Sequence, residues 1–173
     1  MCHFEKGLKD DITIVLSCPG QEEEIENKPA AGKTGSNLGT VLATINGQNE
    51  LSWNRRDVTI TNAWNKVEYK GKTGRTEATK KEVLSDENLK RLYNEIKDTK
   101  EYIVAFGYLA EQVLEELNTK HQLNVKVLSA PHLSLQRLNT SIVVPEPQRN
   151  TNTSSENNQY RLEVVATKII EQL

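Results

Sequence analysis

Three short stretches carry residue types able to do chemistry. VTITN ends a β-branched run on Asn62, whose amide presents a donor beside an acceptor, the complement of a pyrimidine's pairing edge. SAPHLSLQRLN sets His132 just past another apolar run, where an imidazole can stabilise a developing anion or shuttle a proton. SCPGQEEE joins a Pro-Gly turn to Glu22, Glu23 and Glu24, and a carboxylate near a strand end can act as a general base or stabilise positive charge. Each has an ordinary alternative: an Asx turn at Asn62, a packed histidine, a row of solvated charges.

AAGKTGSNLGTVL offers a different chemistry, because Gly-Lys-Thr at a helix start closes the phosphate cradle of nucleotide hydrolases. That cradle needs a glycine five residues earlier, directly after a buried strand. Asn27 occupies the place, and the preceding strand-like run ends as far back as Ser17. The later runs close on Asn62, Phe106 and Pro131 rather than on an aspartate able to hold magnesium. Gly32, Lys33, Thr34, Gly35 and Ser36 can still meet a phosphate at a helix N-terminus, or simply begin a helix with Thr34 or Ser36 as its cap. KVEYKGKTGRTEATKK sets Lys66, Lys70, Lys72, Arg75, Lys80 and Lys81 against Glu68 and Glu77. Such a basic loop suits a phosphate backbone, or is ordinary exposed chain.

These groups need elements to position them. Short β-branched runs alternate with helical patterns, which predicts a parallel sheet covered on both faces. Strands are expected at Ile12 to Ser17, Val58 to Asn62, Tyr102 to Phe106 and Val125 to Leu128. Helices are expected at about Ser36 to Ile45, Lys80 to Lys97, Tyr108 to Asn118 and Gln159 to Gln172. The reading is one α/β domain over 1–173, a three-layer sandwich with a central four-stranded parallel sheet, a polar linker at about 145–158 and a C-terminal helix at about 159–172. Ligands in such sheets bind beyond the carboxyl ends of the strands. The loops so selected are Ser17 to Gly35, Asn62 to Thr79, Gly107, and Ser129 to Asn139.

The chain has 173 residues and a formal net charge of −2, so an anionic partner must be met by a local basic patch. Cys2 and Cys18 are too few for a disulfide framework or a cysteine-built metal site. MCHFEKGLKDD lacks the apolar core of a signal peptide. The expectation is a cytoplasmic monomer without metal, cofactor or membrane contact.

In order and spacing, LSCPGQEEEIENKPAAGKTGSNL, VTITNAWNKV, YIVAFGYLAEQVL and SAPHLSLQRLN resemble the motifs of the uracil-DNA glycosylase superfamily, over roughly residues 12 to 140. The short thermophile-type branch is the nearest. The resemblance implies hydrolysis of a base–deoxyribose bond on a nucleotide flipped out of DNA, without metal or cofactor. It makes Asn62 the base reader and His132 the stabiliser of the leaving group, both catalytic together with Glu23, and it puts Ser17, Cys18 and Ala30 beside the base. Pro19, Gly20 and Ser134 would grip phosphates, Leu135, Gln136 and Arg137 would enter the duplex, and Lys33, Lys70, Lys72 and Arg75 would serve DNA binding.

The departures carry information of their own. Ser17 stands where the branch has an acid, which makes Glu23 the substitute, and Leu133 replaces a proline. The branch's iron–sulfur cysteines are absent. Ala30 stands where an aromatic ring stacks on uracil, a loss of about 1 to 3 kcal/mol of stacking. The volume left by Ala30 implies a pyrimidine bulkier than uracil, such as a glucosylated hydroxymethylcytosine of phage DNA. A cytosine-type base leaves poorly unless protonated, so a neutral Glu23 or a charged His132 is expected as general acid. The alternatives are a uracil-excising repair enzyme and a catalytically silent DNA-binding protein of the same fold.

Overall fold

The computed structural model describes residues 1–49 and 51–173. In chain order the elements are β1 Phe4–Glu5, β2 Ile12–Leu16, α1 Gln21–Glu26, α2 Gly32–Gln48, β3 Thr59–Asn62, α3 Lys70–Thr73 and α4 Lys80–Val83. They continue as α5 Asp86–Ile96, β4 Tyr102–Phe106, α6 Tyr108–His121, β5 Lys126–Ala130, α7 Leu135–Ser141, α8 Gln148–Thr151 and α9 Ser154–Ile170. Among the described residues the sheet has five strands, in the order β1-β3-β2-β4-β5.

Alternation along the strands divides the core in two, because successive side chains of a strand point to opposite faces. Ile12, Ile14 and Leu16 of β2, with Val104 and Phe106 of β4, pack with Leu38, Val41 and Ile45 of α2 and Leu162, Val165 and Ile169 of α9. Val15, Ile103 and Ala105 face the other way, onto Leu89, Leu92 and Ile96 of α5 and Val113, Leu114 and Leu117 of α6. The three-layer α/β expectation therefore holds. The four-stranded parallel sheet does not: β2 to β5 are parallel, but β1 pairs antiparallel with β3 and makes the sheet mixed. A two-residue strand is too short to show periodicity.

Three further expectations are corrected. The helix expected over Lys80 to Lys97 is broken into α4 and α5, with Ser85 at the start of the second. The loop of Ser129 to Asn139 coils into α7, because Ser134 caps it by accepting from the Arg137 N–H. The polar linker at 145–158 holds α8 and the first turn of α9, which Thr153 and Glu156 start as a capping box. Reciprocal capping satisfies two orphan N–H groups at a helix start, so a polar sequence there is a helix signal.

Among the described residues no helix is long and apolar enough to cross a membrane, and no cluster of His, Cys, Asp or Glu has the grouping of a metal site. Neighbouring β2 and β4 send their connections to opposite faces, α2 covering one and α6 the other. The carboxyl ends of these two strands form the crevice in which such sheets bind ligands.

Candidate active site

A cleft of about 380 Å³ opens at that crevice, and its walls include Asn62 from β3, Cys18 and Gly20 from the loop after β2, His132 from the loop after β5 and Arg137 from α7. Asn62 and His132, far apart in sequence, thus face one hollow. A second cleft of about 680 Å³ adjoins it, and the two share Glu77, His132 and Arg137.

Asn62 is 1% exposed and is held from behind. Its Nδ2 donates to the His3 carbonyl at 3.2 Å, and its own carbonyl accepts from Arg91 Nη2 at 3.0 Å. Arg91 Nη1 lies 2.6 Å from Glu95, which also accepts from Thr61 and meets the His3 ring at 3.2 Å. Burial works against the Glu95 carboxylate, but His3, Arg91 and Thr61 outweigh it and hold its pKa below the ordinary value. The N-terminal strand therefore orients the amide, a contribution that two residues of strand sequence gave no means of foreseeing. Deleting residues 1–5 leaves this buried amide one partner short; the expected loss is about 1–3 kcal/mol of stability, read as a lower urea midpoint.

His132 sits where Gly107 turns β4 into α6 at φ +94°; a Cβ on Gly107 would come within 3.1 Å of the His132 Cβ. Its Nδ1 accepts from the Ser134 N–H at 3.0 Å, so the neutral ring carries its proton on Nε2. Burial pushes its pKa below 6.5, with Glu77 opposing and Arg137 reinforcing the shift. Both the shift and the bond to Nδ1 work against the charged His132 expected as a general acid. Leu133 is fully buried, and its carbonyl accepts from Asn37 Nδ2 at 2.8 Å, with Asn158 in turn donating to Asn37. Leu133 thus anchors the loop in the core, and the supposed linker supplies part of the anchor.

Of the three glutamates, Glu23 alone is buried. One oxygen accepts from the Gly20 N–H at 2.9 Å and the other from the Ala31 N–H at 3.0 Å. Both oxygens thus fasten the loop to the start of α2, where a base or acid would need one of them turned to the substrate. Cys18 lines the cleft with its thiol pushed up to about 12, first by burial and then by Glu77 and Glu68, which makes it an inert wall. Ser17 is 2% exposed and donates to Glu77 over 3.4 Å. Pro19 is buried, its carbonyl accepting from the Glu68 N–H at 2.9 Å.

Ala30 is not in the cleft wall. It lies in the apolar core at 2% exposure, in a left-handed conformation at φ +47°, so the room expected from its small side chain is not room for a base. Its carbonyl accepts from Arg55 and stands 2.0 Å from the place of a Cβ on Gly35. The second glycine of Gly-Lys-Thr-Gly is therefore required by close backbone packing. Helix α2 begins at Gly32 with Ala31 as N-cap, earlier than Thr34 or Ser36, and Lys33 is exposed on its first turn.

The basic loop forms the short helix α3. Lys70 is exposed there, whereas Lys72 is paired with Glu24 and Arg75 is clamped between Glu68 and Glu82. Arg75 is thus a structural cation. Leu135 is 41% exposed at the first turn of α7 beside Gln136 and Arg137 in the cleft wall. Glu68 and Glu77, which the sequence offers only as counter-charges of the basic loop, both reach the cleft wall; Glu68 is taken up by Arg75, and the proximity of Ser17 and Arg137 singles out Glu77.

An amide and an imidazole converge at the switch point of a mixed α/β sheet, the place beyond the strand ends where such sheets bind their ligands. The family model described as the Uracil DNA glycosylase superfamily matches residues 7–167, and the chain belongs to that superfamily. Its members are in general DNA glycosylases, DNA-binding hydrolases. No curated protein matches the chain.

Proposed function

We propose that the chain hydrolyses the N-glycosidic bond of a pyrimidine flipped out of DNA, leaving an abasic site. The observation that carries this reading is the convergence of Asn62 and His132 on one cleft in a chain of this superfamily. Asn62 reads the base edge, the His132 Nε2–H meets the oxygen on which negative charge grows, and Gly20 and Ser134 in the cleft wall meet the flanking phosphates; Pro19, buried with its carbonyl engaged, shapes the turn instead. Leu135, exposed beside the cleft, fills the gap the nucleotide leaves. Lys33 and Lys70 remain available to phosphates.

The base we favour is a bulky 5-modified cytosine, such as the glucosylated hydroxymethylcytosine of phage DNA, which makes the protein a defence enzyme. Support for it rests on the adjoining 680 Å³ cleft, which shares Glu77, His132 and Arg137 with the base site as a common wall, and no longer on Ala30. Uracil is the second reading, favoured by the neutral His132, which suits a base departing as an anion.

Duplexes carrying plain cytosine, uracil or glucosylated hydroxymethylcytosine, scored for abasic sites, separate these readings. Abasic product from the glucosylated duplex supports the first, and product from uracil alone sinks it while leaving the glycosylase assignment intact. Binding with no product from any duplex identifies a silent binding protein. With the cleaved duplex, Asn62→Ala is expected to slow base release by about 10- to 100-fold, the worth of about 1–3 kcal/mol of buried hydrogen bonding, measured in single turnover.

A further inference from the structure

We infer that Glu77 supplies the carboxylate that activates water in the reaction, with Arg137 covering it until DNA draws the arginine away. The inference rests on the glycosylase reading.

Three carboxylates line the smaller cleft, Glu23, Glu68 and Glu77. Glu23 has both oxygens on backbone N–H groups, at 2.9 and 3.0 Å. Glu68 takes Arg75 Nε at 2.9 Å, Arg75 Nη2 at 2.6 Å and Trp64 Nε1 at 3.2 Å. Glu77 is held more loosely: one oxygen accepts a long bond of 3.4 Å from Ser17 Oγ, and the other meets Arg137 Nη2 at 2.9 Å. The side chains of that ion pair are 34% and 56% exposed, and pairs so open to water are weak.

Position adds to availability. Ser17 follows the last residue of β2, at the strand end that opens on the cleft, and its hydroxyl donates a hydrogen bond to Glu77. Glu77 also shares both clefts with His132, so a carboxylate and an imidazole face the same space. Arg137 belongs to the first turn of α7, next to the exposed Leu135. A phosphate oxygen competes with a carboxylate for a guanidinium on equal geometric terms. DNA that engages α7 therefore takes Arg137 and uncovers Glu77 in one movement, so the carboxylate becomes available when a nucleotide is present to be cut.

In the step that follows, the oxygen of a water bonds to C1′ of the deoxyribose as the bond between C1′ and the base nitrogen breaks. The electron pair of that bond leaves with the base. Glu77 receives the water's proton and returns it to solvent; the departing base accepts the His132 Nε2–H as a hydrogen bond and takes its proton from solvent. One water is consumed, and the products are an abasic sugar and the free base.

The test uses the full chain and whichever duplex of the three it cleaves. Glu77→Gln keeps the shape of the side chain and is expected to slow single-turnover base release by about 100-fold, the scale of a lost general base. Its affinity for the same duplex, read by fluorescence anisotropy, is expected to stay level or tighten, since Arg137 is released. Glu77→Ala is expected to regain rate when formate is added, a response that a merely structural glutamate would not give. Base release by Glu77→Gln at the wild-type rate overturns the inference, as does a folded, slow Glu77→Ala indifferent to formate. If the unaltered protein frees no base from any duplex, the glycosylase reading itself fails and this inference with it.

Discussion

His132→Ala is expected to lower the rate of base release by about 10²- to 10³-fold, the range found when one preorganised donor to a developing anion is removed. The donor is the Nε2–H, fixed in place because the Ser134 N–H occupies Nδ1. The pH profile distinguishes a neutral donor from a charged acid. Burial holds the His132 pKa below 6.5, so the ring is already neutral through pH 7 to 8 and its contribution stays level there. An imidazolium acid would instead lose about tenfold in rate for each unit above its pKa, the exchange of one proton. The same shift has a consequence for stability. The group is depressed in the folded state, so its contribution is complete above about pH 6.5 and is lost as the pH falls from there through the folded value. Rates measured from pH 5 to 9 on the wild type and on His132→Ala check the first point, and urea midpoints of both over the same range check the second; a wild-type rate that falls tenfold per unit above neutrality contradicts the neutral-donor role.

Arg75→Ala is expected to lower the urea midpoint at pH 7, because it strips a buried carboxylate of its cationic partner. Water at the half-exposed Arg75 screens the pair, while the Glu68 side chain it leaves behind is 3% exposed. Arg75 gives Nε and Nη2 to Glu68 and Nη1 and Nη2 to Glu82. Without it Glu68 keeps Trp64 Nε1 and little else. Arg75 first, with the Thr79 backbone and hydroxyl, holds the Glu82 carboxyl down to about 2, and Arg75 is also the largest cause of the lowered pKa of Glu68. Depressed carboxylates stabilise above their ordinary value of 4.5 and lose that contribution as the pH falls through the folded value. The urea midpoint of the wild type is therefore expected to drop below pH 4.5, and the gap between wild type and Arg75→Ala to narrow as it does. An unchanged midpoint at pH 7 would return Arg75 to the exposed basic loop read from the sequence.

The superfamily and the α/β layering were legible in the chain because both rest on local patterns. Alternating Ile12, Ile14 and Leu16 mark a strand, the spacing of Leu89, Leu92 and Ile96 marks a helix face, and short motifs at strand ends carry Asn62 and His132. The Gly-Lys-Thr-Gly segment was legible as important but not as to why: the reason is the approach of the Ala30 carbonyl to Gly35, a packing fact with no signature of its own. The capping box at Thr79 starts a helix that was expected at Lys80 without it, whereas the one at Thr153 lies in a segment whose polarity looks like loop.

By itself, then, the sequence determined the layers of the fold and the two side chains that face the cleft, since hydrophobic period and strand-end position are properties of neighbouring residues. Only the tertiary structure decided which charges are available. Glu23 and Arg75 are engaged by groups brought to them by folding, Ala30 turns into the core, and Glu77 comes to Ser17 and Arg137 from across the chain. The physical reason is that a charge is committed or available according to its partners within a few ångströms, and separation along the chain does not encode which partners those will be.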